Sequence, residues 1–173
     1  MFDLNDILAA VNSAFKDAAN DTLAAASERI FIEGKNAKDS KVGSYSTKPF
    51  YANAKTSPRA TNGTGKTGNP VQGGYYAGGY REYRAQQGRE AGFINFRLSN
   101  SLQSDFNNSE SGFKLNQTGE LEYSIVINRP ENIEKIKGQE ARFGTIFTGF
   151  TSAEEQLIVD SFNFNIKNKI QSL

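Results

Sequence analysis

The sequence predicts an α+β protein in which a long N-terminal helix and a C-terminal helix pack on a small antiparallel sheet. Two observations predict this class. Apolar residues recur at helical spacing near both ends of the chain, and they alternate at strand spacing within residues 93–128. A third observation is a basic stretch rich in Gly and Tyr, expected to form a long arm over residues 34–79. The length of 173 residues predicts a single domain spanning residues 1–173.

The first helix is predicted over residues 3–32. Apolar side chains from Leu4 to Ile30 recur at intervals of three and four, which is the spacing of one helix face. Neither Pro nor Gly occurs before Gly34, so we expect the helix to end at that glycine.

The arm that follows shows neither helical nor strand periodicity. Residues 34–89 contain ten Lys and Arg against two acidic residues, ten of the 16 Gly and six of the seven Tyr, but no Leu, Ile or Met. Such a composition predicts a segment that builds no core of its own. Within it, residues 48–51 are expected to be extended, because a residue before Pro is pushed away from helical geometry.

Shorter elements are predicted between the arm and the C-terminal helices. A short helix over residues 80–87 should end at Gly88, and alternation predicts a strand over residues 93–98. A helix of one to two turns should follow Ser99. The pattern then predicts a hairpin, with strands over residues 112–116 and 120–128 joined by the turn Gln117-Thr118-Gly119.

Two helices complete the predicted fold. Pro130 is suited to the first turn of a helix that continues to about Arg142. The last helix is predicted over residues 151–172, because Thr151 and Glu154 have the spacing of a capping box. Its apolar face consists of Leu157, Ile158, Phe162, Ile166 and Ile170.

Composition excludes several classes of function. The chain has no Cys and no His, so thiol chemistry, disulfides, imidazole bases and Cys/His metal sites are excluded. Residues 63–68 partly match a phosphate-binding loop, but Ala60 replaces the first glycine and Pro70 stands where a helix would begin. No apolar run approaches the length that spans a bilayer. We therefore expect no catalytic residues, no metal, no cofactor and no membrane association.

The basic block is the most informative region for function. Tyr and Arg are enriched at the energetic centres of protein interfaces, and they also stack on single-stranded nucleic acid. The block can therefore be an arm that contacts a protein partner, a nucleic-acid-binding segment, a solvated loop, or a cover of rings over the protein's own sheet. The candidate contact residues are Lys35, Lys41, Tyr45, Lys48, Tyr51, Tyr75, Tyr76, Tyr80, Arg81, Tyr83, Arg84 and Arg89.

Five segments carry a family resemblance. They are RIFIEGK at 29–35, GSYSTKP at 43–49, GGYREYR at 78–84 followed by QGR at 87–89, INFRLSNSL at 94–102, and FGTIFTGFTSAEE at 143–155. In this order the chain resembles the neck, head-to-tail connector or tail-completion proteins of tailed bacteriophages. Ser99-Asn100 stands where relatives usually have Thr-Gly, and Asn tolerates the left-handed conformation that Gly adopts.

The resemblance implies a structural virion protein without enzymatic activity, assembled in the cytoplasm of the bacterial host. It implies a homo-oligomeric ring between portal and tail, in contact with the portal or adaptor and with tail proteins. DNA would pass through the ring without sequence-specific binding. The candidate contact residues would then meet a neighbouring subunit or the portal or tail. The alternative is a nucleic-acid-binding protein that uses the basic Tyr-rich arm.

Overall fold

The computed structural model describes residues 3–52, 63–64, 70–71, 74–97, 100–107, 113–119 and 123–172. They form an α+β protein that is mostly helical, which confirms the predicted class. The chain divides into two compact units. Residues 1–40 and 99–173 form the first, and residues 41–98, inserted between those segments, form the second. A single domain over 1–173 stays a prediction.

The first unit contains most of the helices. They are α1 (Leu4–Ser27), which continues as a π-helical turn over Glu28–Ile32, then α3 (Ser101–Asn107), α4 (Pro130–Phe143) and α5 (Ser152–Gln171). A two-stranded antiparallel sheet consists of β5 (Phe113–Gln117) and β6 (Tyr123–Ile127), with Phe113 opposite Ile127. The predicted helix bounds and the antiparallel pairing of the two hairpin strands are therefore confirmed to within a few residues, but Gln117 of the predicted turn belongs to β5, and residues 120–122 lie outside the described residues.

Packing of α1 along α5 forms the frame of this unit. The buried side of α1 carries small residues, including Ala10, Ala14 and Ala18, which allow the two backbones to approach closely. The rings of Phe15 and Phe162 stand 4.4 Å apart between the helices. On α5, the predicted capping box is confirmed, because the side chains and backbone N–H groups of Thr151 and Glu154 cap each other reciprocally.

The core of the first unit lies where the π-helical turn meets α3 and the loop after α4. Phe31 is fully buried, with ring centroids of Phe106 and Phe147 at 5.4 Å and 6.2 Å. Beside it, the buried Arg29 forms a 2.7 Å ion pair with Glu154. The guanidinium also donates to the carbonyl of Ile146, so the start of α5 is tied to both the loop and the end of the first helix.

One predicted element is wrong. Residues 93–97 are irregular rather than a strand. Phe96 has a φ of +55°, which breaks the extended run that its alternating pattern predicts. Asn100 has a φ of +60°, a left-handed conformation that Asn tolerates better than most residues.

The second unit contains one helix and a small sheet. The helix α2 covers Gly79–Gln86, and Gly88 follows it with a φ of +65°, which confirms the predicted end. The antiparallel sheet has the strand order β1-β4-β2-β3. Its strands are β1 (Phe50–Tyr51), β2 (Gly63–Thr64), β3 (Pro70–Val71) and β4 (Tyr75–Tyr76). Residues 53–62, 65–69 and 72–73 of the predicted arm lie outside the described residues.

The expectation that the basic block builds no core is corrected by this unit. Tyr76, Tyr83 and Ala52 are buried together, and Phe50 and Tyr80 pack against them. The rings of Phe50 and Tyr76 stack at 5.6 Å, and the ring of Tyr83 meets that of Tyr76 edge to face at 5.2 Å. Aromatic side chains bury enough apolar surface to replace the missing Leu, Ile and Met.

Candidate interaction surface

The pairing of β1 with β4 separates its four aromatic side chains into two faces. Phe50 lies opposite Tyr76, and Tyr51 lies opposite Tyr75. Because successive side chains of a strand point to opposite faces, the first pair enters the core and the second faces solvent. Tyr51 is 53 % exposed and Tyr75 is 45 % exposed. We call these two rings the tyrosine pair.

Among the described residues, Tyr51 of the tyrosine pair lies on the outer strand of the sheet and Tyr75 on the strand next to it. The N–H of Ala52 donates to the carbonyl of Gly74 at 3.0 Å, so the intervening pair of Tyr51 and Tyr75 is not hydrogen-bonded. In such a pair the side chains stand closest. Since β1 is the outer strand of its sheet, the backbone N–H and C=O of Tyr51 point to the open edge.

A buried guanidinium stabilises the loop behind the sheet. Arg84 is 1 % exposed. Its Nε donates to the carbonyl of Glu90 at 2.8 Å, and its Nη2 donates to Asn95 Oδ1 at 2.9 Å and to the carbonyl of Arg97 at 3.1 Å. The guanidinium carbon also lies 4.3 Å from the centroid of the Tyr45 ring. These contacts hold residues 90–97 against α2.

Glycine allows α2 to approach the segment before β1. Gly79 has a φ of +73°, and a Cβ atom there would stand 2.5 Å from the Ser46 carbonyl oxygen. Only Gly fits this position. The same carbonyl accepts a 3.1 Å hydrogen bond from the N–H of Arg81, so the helix begins directly on the extended chain that leads to β1.

Two tyrosines of this unit have a pKa above the ordinary value of a tyrosine hydroxyl. Burial raises the pKa of Tyr45, although its hydrogen bond with the N–H of Asn95 and the nearby Arg84 act in the opposite direction. Burial also raises the pKa of Tyr76, and the neighbouring Tyr83 adds to that rise. Both rings are therefore neutral parts of the unit at physiological pH.

The structure separates the twelve predicted contact residues into three groups. Tyr76, Tyr83 and Arg84 are buried and hold the second unit together, so their burial does not support a role in contacting a partner. Lys35, Tyr45, Tyr80 and Arg89 are partly buried, whereas Lys41, Lys48, Tyr51, Tyr75 and Arg81 are exposed. Sequence reasoning did not include Asn95 and Arg97, which join Arg84 in its network, among the candidate residues, although both lie in the segment 94–102 that carries the resemblance.

Lys35 differs from the others, because it belongs to the first unit. Its ammonium lies 2.9 Å from a Glu33 carboxylate oxygen and 3.0 Å from an Asp39 one. Hydrogen bonds to Glu33 and Asp39 raise the pKa of Lys35. This lysine is part of a local ion-pair cluster apart from the tyrosine pair.

Charge is divided unequally between the two units. Residues 41–98 carry nine Lys and Arg against Glu82 and Glu90, a net charge of +7. The remaining residues carry eleven basic and seventeen acidic side chains, a net charge of −6. One chain therefore offers both a cationic and an anionic surface to its surroundings.

Comparison with protein-family models, with curated proteins and with solved structures found no match to this chain. Over the described ranges, no helix is long and apolar enough to cross a membrane. The same residues contain no group of three or more acidic side chains placed to hold a metal ion.

Proposed function

We propose that this protein is a non-enzymatic structural component of a tailed-phage virion. It forms a ring in the neck, between portal and tail, as a head-tail connector or tail-completion protein. The ring would contact the portal or adaptor on one side and tail proteins on the other, and DNA would pass through it. The family resemblance over about residues 25–172 supports this assignment. The protein would reach the virion after assembly in the cytoplasm of the bacterial host.

The observation that carries the proposal is the exposed tyrosine pair on β1 and β4. Neighbouring exposed rings form an apolar patch, and such patches often mark a protein interface. Tyr is a preferred residue at the centres of protein interfaces, since its ring buries much area at a small entropic cost.

The opposite charges of the two units support a ring in particular. In a ring, one patch of each subunit meets a different patch of the next subunit. A chain with a unit of net charge +7 and another of −6 supplies two such unlike patches. Contact between like patches would be repulsive, so assembly through unlike patches is favoured.

The assignment is tested by the location and the oligomeric state of the protein. Gold-labelled antibodies against this chain should decorate purified tailed particles at the junction of head and tail in electron micrographs. Native mass spectrometry of the purified protein, alone and mixed with portal, should show a closed oligomer. Label confined to heads or tail tips, or its absence from intact particles, would contradict the proposal.

The alternative is binding of single-stranded nucleic acid through the same surface. The net charge of +7 and the exposed tyrosine pair favour it, because bases stack on exposed rings while cations contact the phosphates. Fluorescence anisotropy with a labelled 20-nucleotide strand distinguishes the two. Tight binding that is lost on Tyr51→Ala, in a protein that stays monomeric, would favour this alternative.

A further inference from the structure

The packing face of α1 becomes exposed toward the start of the helix. Its apolar side chains recur at alternating intervals of three and four residues, the spacing of a coiled-coil seam, at Leu4, Ile7, Val11, Ala14 and Ala18. Ala14 and Ala18 are buried, and Val11 is partly buried. Further toward the N-terminus, Ile7 is 36 % exposed and Leu4 is 67 % exposed. We call Leu4 and Ile7 the open seam.

The position of α5 explains why the open seam is exposed. The two helices run antiparallel, because the Ser161 hydroxyl donates to Asp21 while Lys169 forms a 2.9 Å ion pair with Asp17. After Lys169, α5 continues for two more residues. Leu4 lies thirteen residues before Asp17, which is about 20 Å along the axis of α1. The first turns of α1 therefore extend past the end of α5.

The open seam differs from an ordinary exposed leucine. A single apolar side chain in water needs no explanation, because folded proteins expose much apolar area. The two side chains of the open seam, however, continue the face that packs against α5. Neighbouring exposed apolar side chains often mark a docking surface for another protein. We therefore expect a partner at this end of α1.

The charge around the open seam is negative. Residues 3–10 contain Asp3 and Asp6 and neither Lys nor Arg. Asp3 caps the helix by accepting from the N–H of Asn5 at 3.2 Å, and Asp6 is exposed in the first turn. Contact between two copies of this surface would bring like charges together, which is unfavourable. The matching surface should therefore be apolar at its centre and belong to a cationic region.

The second unit offers such a surface. Residues 41–98 carry a net charge of +7. Among the described residues of this unit, the tyrosine pair supplies the large hydrophobic side chains that are exposed. Aromatic rings bury a large apolar area when aliphatic side chains pack against them.

We infer that the open seam of one copy docks on the tyrosine pair of a second copy. Leu4 and Ile7 pack against the two rings, and Asp6 faces the cationic unit. Each chain carries the open seam in its first unit and the tyrosine pair in its second, so the contact joins unlike patches and can repeat around a ring. The inference rests on the proposed function and names the helix residues that the tyrosines meet.

Site-specific cross-linking tests which surfaces meet. The chain has no Cys, so introduced cysteines react selectively. Leu4→Cys and Tyr75→Cys are made in separate chains, each of which keeps the other member of its patch, and the two are mixed with a short bifunctional maleimide. We expect a covalent dimer that needs both variants. Phe164→Cys is the matched control, because Phe164 on α5 is 68 % exposed, and it should give less than about a tenth of that dimer with Tyr75→Cys.

Sedimentation velocity of the full chain measures what each side chain contributes. Leu4→Ala should weaken self-association about tenfold, because it removes most of an apolar side chain from the contact. Phe164→Ala should change it less than about twofold. Tyr51→Ala should weaken it as well, and the two losses should not add in the double variant with Leu4→Ala, since the side chains contact each other. Asp6→Lys should also weaken it, because it places a cation against the cationic unit. Circular dichroism must show that each variant is folded.

Other outcomes overturn the inference. Equal self-association of Leu4→Ala and wild type would show that the open seam is not a contact, while neck labelling could still support the proposed function. Covalent dimers of Leu4→Cys alone, or tighter association of Asp6→Lys, would show that two acidic surfaces meet instead. Fully additive losses in the double variant would separate Leu4 from Tyr51. A wild type that stays monomeric would overturn the choice of a second copy as the occupant.

Discussion

Replacing Arg84 by Met should lower the stability of the second unit more than that of the first. Met keeps most of the volume of the arginine stem but donates no hydrogen bond. The change removes the three bonds to Glu90, Asn95 and Arg97 and the contact with the Tyr45 ring. Residues 90–97 would then lose their attachment to α2.

The expected loss of stability in Arg84→Met follows from two opposing contributions. Each hydrogen bond from a charged donor stabilises a protein by about 1.5–3 kcal/mol, so the three bonds together amount to roughly 4–9 kcal/mol. Removing the cation also recovers several kcal/mol that its burial cost. The acceptors on Asn95 and Arg97 keep other donors, namely the Tyr45 hydroxyl and Arg89. We therefore expect a net loss of about 3 kcal/mol, or about 15 °C in the melting temperature of a unit this small.

Tyrosine near-ultraviolet circular dichroism reports this loss directly. The chain has no Trp, and six of its seven tyrosines lie in residues 41–98. The helical signal at 222 nm arises mainly from α1, α4 and α5 of the first unit. The tyrosine transition of Arg84→Met should shift to lower temperature by more than the helical transition does.

Two further variants test whether the planar guanidinium group of Arg84, rather than its charge alone, stabilises the second unit. Arg84→Lys should destabilise at least as much as Arg84→Met, because a buried ammonium keeps the desolvation cost with fewer suitable donors. Arg81→Met, on the exposed side of the same helix, should change stability by less than about 0.5 kcal/mol. A shift below about 3 °C for Arg84→Met would refute the assigned role of the network.

Two predictions concern the first unit. Glu140 accepts hydrogen bonds from the N–H groups of Ile146, Phe147 and Thr148, and these bonds outweigh burial and lower its pKa. In urea titrations at pH 7, Glu140→Gln should therefore lower the free energy of unfolding by about 1 kcal/mol. The difference from wild type should shrink as the pH falls below about 4.3, because the wild-type carboxylate is then protonated. A difference that stays constant from pH 7 to pH 3 would contradict this prediction. Phe162→Ala should lower the free energy of unfolding by about 2–3 kcal/mol, because the ring is partly buried against α1. The side chain of Phe164 on the same helix is 68 % exposed, so Phe164→Ala should lower it by less than about 0.5 kcal/mol. Equal losses for the two variants would show that α5 does not pack as described.

Most helix bounds could be predicted from short-range chemistry. Thr151 and Glu154 start α5, Pro130 starts α4, and Gly88 follows the end of α2, each through backbone preferences that depend on a few neighbouring residues. The predicted strand over 93–98 failed for a long-range reason. Its alternating pattern is real, but Asn95 and the Arg97 carbonyl serve Arg84 instead of a neighbouring strand.

The candidate interaction surface likewise combines features set by local sequence with features set by long-range contacts. Residue type and charge segregation marked the basic, Tyr-rich block as the candidate contact region, and the tyrosine pair was among the predicted contacts. Which tyrosines face outward depends on the register of β1 with β4, and that register joins residues 24 and 26 positions apart. No local pattern determines it.

The sequence by itself determined the α+β class, the helices and the charge contrast between the basic block and the rest of the chain, because these depend on composition and on spacing within a few turns. Only the tertiary structure decided that Arg84 is buried while Tyr51 and Tyr75 are exposed. An arginine can be buried only where acceptors converge on it, and those acceptors come from a loop that folding brings to α2.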